Sequence, residues 1–187
     1  MNPRDLLKLA GGVMALAVYV PMIVEIIRAR GAGQSFAMWG LWAVLDIILT
    51  VTLWQQHGNY LLSLGFAVGG VVLAAVLLAQ GSWNWGRFET VIAVMVLASL
   101  AVWQFSGPRN ATIAVTTAVC IAGVPGFVDM LRNPQPAAAK LWAGFTVANL
   151  LAFFGGTAMT VEERLVPAAF TLLCALMVVA CWWPKKK

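Results

Sequence analysis

The chain has 187 residues, of which 61% are hydrophobic and 10% charged, with a formal net charge of +5. Soluble domains are about 45–50% apolar and about 25% charged, so a mean hydropathy of +0.87 leaves too little polar surface for a water-soluble globule. That excludes a soluble enzyme, a nucleic-acid binder and a disordered chain, and it suits a polytopic membrane protein whose spans need about 20 apolar residues each.

Seven apolar segments follow in chain order, at approximately 6–28, 36–55, 60–80, 88–105, 110–131, 139–159 and 164–183. Arg4 and Lys8 precede the first, and Ala15-Leu-Ala17 loosely fits a signal-peptide cleavage site. The apolar run continues well past that site, so the segment is read as a span. It ends in Val20-Pro21-Met-Ile-Val-Glu25-Ile-Ile-Arg28, and a basic, glycine-containing turn runs on to Ser35.

The second segment places Asp46 near its centre. A carboxylate there costs roughly 2.5–3.5 kcal/mol on insertion scales, and such residues face the bundle interior and mark pathways or proton relays. Trp39, Trp42 and Thr50 share its helical face. An indole beside a carboxyl suits a small polar or cationic solute, and the carboxyl can carry a coupling proton. The alternative is a protonated Asp46 bonded to Thr50 or to a neighbouring helix, holding the bundle together.

His57-Gly-Asn59 makes a minimal turn before the third segment, which contains Ser63 and the small-residue spacing Gly65-Phe-Ala-Val-Gly69, read as a helix contact. His57 is the only histidine and has no nearby Ser or Cys nucleophile, so neither a hydrolase nor a metal site is expected. Gly81–Arg87 and Ser106-Gly-Pro-Arg-Asn110 flank the fourth segment as breakers. The fifth ends in Val124-Pro125-Gly-Phe-Val-Asp129-Met-Leu-Arg132, and Arg132-Asn-Pro-Gln-Pro136 stops it. The sixth carries Trp142, Phe145, Thr146 and Asn149 on one face. Asn149 is read equally as a solute contact across the pore or as an interhelical hydrogen bond worth about 0.6 kcal/mol. The seventh offers Thr171 and Cys174 and ends at Lys185–Lys187, a lipid-facing basic anchor. Cys120, Cys174 and Cys181 lie in apolar stretches without metal-ligand spacing.

Basic residues on alternate sides are unequal. Arg4, Lys8, Arg109 and Arg164 fall on one side; Arg28, Arg30, Arg87, Arg132, Lys140 and Lys185–Lys187 fall on the other. The positive-inside rule places the second side in the cytoplasm, hence the N-terminus outside and the C-terminus inside. Short loops suit a bacterial inner membrane. All nine tryptophans except Trp42 lie near predicted span ends, where indoles favour the membrane interface.

The ends of the first and fifth segments repeat. Pro21, Glu25 and Arg28 match Pro125, Asp129 and Arg132 at an offset of 104 residues. Trp39, Trp42 and Asp46 then meet Trp142, Phe145 and Asn149 at an offset of 103. The expected architecture is all-α, with seven transmembrane helices forming two parallel three-helix repeats around a linker helix (3+1+3). The units are 1–80, 81–109 and 110–187. Small transporters use this plan, with the solute site between the repeats near the midplane.

The pattern resembles the PQ-loop superfamily, which includes the SWEET sugar transporters. Locally the resemblance rests on Pro21…Arg28…Ser35…Trp39 and Pro125…Arg132…Trp142. Met22 and Gly126 stand where the glutamine that names the motif would be, and the third and seventh segments lack the asparagine pair of the SWEET sugar site. The resemblance therefore implies the fold and not a sugar.

The expected function is a carrier of a small polar metabolite, with Trp42, Asp46, Trp142 and Asn149 binding solute and Pro21 and Pro125 as hinges. Glu25, Arg28, Asp129 and Arg132 are i,i+3 pairs that either gate the cytoplasmic side or fix span depth. Uniport and proton coupling through Asp46 both remain open, and a homo-oligomer is compatible. Expected partners are the solute, a proton and membrane lipids, with no nucleic acid, cofactor, metal or catalytic residue. The competing reading is a non-transporting receptor or assembly protein on the same fold.

Overall fold

The computed structural model describes residues 2–28 and 34–184. Arg30 and Lys185–Lys187, read above as topology signals, lie outside the described residues. Six long helices occur in order: α1 Pro3–Arg28, α2 Phe36–Gln55, α3 Leu61–Ala79, α4 Arg87–Arg132, α5 Ala139–Gly155 and α6 Val166–Cys181. A 3-10 turn at Pro136–Ala138 leads into α5, and a π-turn at Val161–Leu165 leads into α6. Counting those turns, all six are long and apolar enough to cross a membrane.

Local sequence sets the helix ends. The Ser35 hydroxyl caps α2 by accepting from the Met38 N–H at 3.4 Å, and it donates to the Asn84 carbonyl at 2.8 Å. The start of α2 is thereby tied to the turn between α3 and α4. The C-termini of α2 and α3 close the same way. Gly58 N–H bonds the Leu53 carbonyl and His57 N–H that of Trp54; Ser82 N–H bonds Leu77 and Gly81 N–H bonds Leu78. This paired closure requires a left-handed residue, supplied by His57 (φ 54°) and Gly81 (φ 72°). The single histidine thus ends a helix.

Two boundaries differ from expectation. The sixth segment, drawn to 159, ends at Gly155. The fourth and fifth run together as the 46-residue α4, so six helices stand where seven segments were drawn. At 1.5 Å per residue α4 would be about 69 Å long, against a hydrocarbon core of about 30 Å. It is interrupted at Gly107 (φ 79°, ψ 175°), a conformation open only to glycine. Pro108 follows and favours extended backbone before it. The expected breaker has contracted to a single residue.

Side chains on both sides of Gly107 reach the C-terminal end of α2. Trp103 Nε1 donates to Gln55 Oε1 at 3.1 Å, and Thr112 Oγ1 lies 3.0 Å from Thr52 Oγ1 and 2.9 Å from Gln56 Nε2. Neither Pro21 nor Pro125 ends its helix, since α1 runs through the one and α4 through the other.

Helix α3 packs against both α1 and α2, and α6 packs against both α4 and α5. Further contacts join α1 to α5 and α2 to α4. Lipid supplies no hydrophobic force between helices, so close backbone approach at small residues does much of the work. Adjacent glycines on α1 serve two neighbours. A methyl at Gly11 would sit 2.8 Å from the Ala148 carbonyl oxygen of α5, and one at Gly12 would sit 2.5 Å from that of Leu61 on α3. Gly65 faces the Gly12 backbone in turn.

Overpacking such a contact costs about 1–3 kcal/mol. Gly11→Val and Gly12→Val are therefore expected to lower the unfolding midpoint in detergent, followed by circular dichroism. Gly40→Ala, whose nearest neighbours are 3.8 Å away, should leave the midpoint unchanged or raise it. Equal midpoints for all three variants would rule out this packing.

Candidate functional site

Aromatic rings from four helices meet at the centre of the bundle. Gly69 of α3 leaves room for the Tyr19 ring, which a Cβ at that position would overlap. Tyr19 packs edge-on against Trp39 (centroids 6.2 Å apart) and Phe145 (5.4 Å). Trp42 joins Trp39 at 5.7 Å, Trp142 joins Phe145 at 6.1 Å, and Phe66 lies 5.5 Å from Phe145. Trp39, in the first turn of α2 and on the face expected to carry Asp46, is 8% exposed, with its Nε1–H donating to Gln34 Oε1 at 2.9 Å. The rings of Tyr19 and Trp42 hold it inward.

Above this layer lies a cavity of about 450 Å³, within the usual range for small-molecule sites. Trp39, Trp42, Trp142 and Phe145 form its inner wall. Its rim carries Glu25, Gln34, Asp129 and Gln135. The mouth thus lies at the C-terminal ends of α1 and α4 and the N-terminal ends of α2 and α5.

The four expected solute contacts divide. Trp42 and Trp142 line the cavity; Asp46 and Asn149 do not, and sit one helical turn behind Trp42 and Phe145. Both are buried, at 6% and 0% exposure. Asn149 donates to the Phe145 carbonyl at 2.7 Å, with Cys174 Sγ at 4.0 Å. Trp42 Nε1, Asp46 Oδ1 and Asn149 Oδ1 have no hydrogen-bond partner, although buried polar atoms are nearly always paired. Thr50, one of the two partners expected for the Asp46 carboxyl in the alternative reading, donates instead to the Asp46 backbone carbonyl, at 2.8 Å. In a helix interior that backbone oxygen lies within easy reach of a threonine hydroxyl.

The expected ion pairs Glu25–Arg28 and Asp129–Arg132 are not formed. The ion pair among the described residues is Lys8–Glu163. Asp129 Oδ1 instead accepts from the Asn133 amide at 3.0 Å. Glu25 and Asp129 are both exposed at the mouth, where water solvates their carboxylates.

The opposite end of the bundle is closed by groups the sequence did not single out. Lys8 Nζ meets Glu163 Oε2 at 2.8 Å, and the two side chains are only 13% and 9% exposed. Glu163 also accepts from the Thr157 N–H, and Arg4 donates to the Thr157 carbonyl at 3.1 Å. Arg164 donates to the Gly156 and Ala158 carbonyls and lies 4.8 Å over the Phe153 ring. Asn59, 2% exposed, clamps the Ala152 carbonyl at 2.8 Å while its N–H bonds Glu162. The one available signal was Glu162-Glu163 beside Arg164, which reads as a polar loop until the fold brings Lys8 to it.

Breaking a buried pair leaves one uncompensated charge and costs roughly 3–5 kcal/mol, whereas removing both costs far less. Lys8→Met alone and Glu163→Gln alone should each lower stability substantially, and the double variant should recover most of the loss. A cycle of unfolding midpoints tests this; strictly additive single losses would refute the coupling. No family model matches this chain, and neither the curated proteins nor the solved structures include a match to it.

Proposed function

We propose that the chain is a seven-span membrane carrier for a small polar metabolite, working by alternating access between two three-helix units. The units are α1–α3 and the stretch from 108 onward with α5 and α6; residues 87–106 link them. Four observations support this layout. Gly107 divides a helix too long for one crossing. The stretch before it starts near Phe36, where Phe36 stacks on Trp83, and reaches Gln55; the stretch after it starts near Thr52 and ends at the cavity that Gln34 also lines. Those two stretches run in opposite directions along α2. Finally, the third helix of each unit packs between the first and second, and α1 against α5 mirrors α2 against α4. The PQ-loop resemblance, the inner-membrane location and an external N-terminus belong to the same proposal.

The observation that carries the function is an aromatic-floored cavity, about 450 Å³, open at one end while ion-paired and polar contacts close the other. That geometry supports the reading of the structure as one access state of a carrier. Switching requires the Lys8–Glu163 end to part and the Glu25/Asp129 end to close, with Pro21 and Pro125 as the flexible points. Rim pairs between units, Glu25 with Arg132 and Asp129 with Arg28, would form as the mouth shuts. A receptor or scaffold reading is favoured by one fact: Asp46 and Asn149 lie behind the cavity wall, and Asn149 reaches toward α6 through Cys174 Sγ at 4.0 Å.

Purified protein in proteoliposomes separates the readings. Counterflow of a labelled panel of sugars, amino acids and vitamins should show uptake of at least one class above empty vesicles. Trp42→Ala with Trp142→Ala should reduce it at least tenfold. No uptake of any class would leave the receptor reading.

Asp46→Asn should abolish the dependence of uptake on an imposed pH gradient without changing the unfolding midpoint by more than a few degrees. Unchanged uptake with unchanged pH dependence would remove Asp46 from the pathway.

A further inference from the structure

We infer that the cavity takes an organic cation, an ammonium or quaternary ammonium group on a small apolar body. The inference deepens the transport reading above, since it names the class of solute for the same cavity. It starts from charge. Among the described residues, the only charged side chains lining the cavity are Glu25 and Asp129. No described Lys, Arg or His lines it, in a chain whose net charge is +5. Arg28 and Arg132, one turn from those acids, are not among the lining residues, and neither acid forms an ion pair among the described residues. Two unpaired carboxylates at the mouth of a low-dielectric cleft focus a negative potential into it.

The inner wall sets the remaining chemistry. Its large groups are the rings of Trp39, Trp42, Trp142 and Phe145, and indole faces attract cations more strongly than any other side-chain ring. Met22, Met38 and Met177 add flexible thioethers that adapt to an apolar body. The unpaired Asp46 Oδ1 lies behind Trp42, outside the cavity, and adds a carboxyl one helical turn beyond the wall.

The other solute classes fit less well. A sugar needs several convergent donors and acceptors, because each hydroxyl left unpaired is penalised. The amides that could serve, Gln34 and Gln135, sit at the rim, and Gln34 Oε1 is already occupied by Trp39. An anion would meet two carboxylates and no compensating cation.

The test is calorimetric titration of the full chain in detergent. The probes are choline, benzyltrimethylammonium, the neutral choline isostere 3,3-dimethylbutan-1-ol and the anion 3,3-dimethylbutyrate. At least one cation should bind tenfold or more tightly than the alcohol, with the anion weakest. The double variant Glu25→Gln with Asp129→Asn should weaken cation binding at least tenfold and leave the alcohol unchanged. Arg87→Gln, at the same end and outside the cavity, should change nothing.

The inference is overturned if the alcohol or the anion binds as tightly as the cations, if no probe binds, or if the double variant keeps full cation affinity. Uptake into proteoliposomes separates the two claims. A cation bound but never moved supports the site and overturns the carrier reading. A neutral solute moved without cation binding keeps the carrier and overturns the cation.

Discussion

Helices in lipid cannot be driven together by water, so their association rests on backbone approach and on polar groups that have nowhere else to bond. Both devices converge on α1. Gly11 and Gly12 are neighbours in sequence yet face different partners, because consecutive helical residues point about 100° apart. One lets α5 approach and the other lets α3 approach. The contact between α1 and α5 continues toward the cavity, where Val18 lies against Gly144. A bulky residue anywhere along that line would push α1 away from α5.

The two ends of the same contact have opposite characters. At one end Gly155 lies against Lys8, and the Lys8–Glu163 pair closes over it. At the other, Glu25 and Asp129 stand apart around open space. A buried ion pair is stable only with good geometry and further hydrogen bonds, which Glu163 obtains from the Thr157 N–H. The acids at the mouth need no such support because water reaches them. Burial at one end and solvation at the other keep an asymmetric interior in place without any large polar domain.

Between the ends, aromatic rings separate the cavity from the pair of buried amide and carboxyl groups. Tyr19 organises that layer by contacting Trp39 on α2 and Phe145 on α5 together. It was not a sequence candidate, and a tyrosine in an apolar run gives no warning of its neighbours. The one clue was Gly69, whose missing side chain makes the space for the ring. Sequence spacing had placed Trp42 with Asp46 and Phe145 with Asn149 on shared faces, and those placements hold. Spacing alone could not tell which member of each pair borders the cavity, because that depends on how far the neighbouring helices close around it.

Helices long and apolar enough to cross a membrane, their approximate limits and their polar turns were legible from composition and hydropathy. Each span must satisfy its own backbone in lipid, so a run of apolar residues has little choice of structure. The match of Pro21, Glu25 and Arg28 with Pro125, Asp129 and Arg132 was also a property of the chain alone. Tertiary structure decided the rest. It contracted a five-residue breaker to Gly107, where a single backbone conformation open only to glycine interrupts the helix. It left Glu25 and Asp129 without their expected partners, and joined Lys8 to Glu163 across most of the sequence. Each of these depends on distances between helices, and a one-dimensional pattern carries the face of a helix but not the depth to which its neighbours bury it.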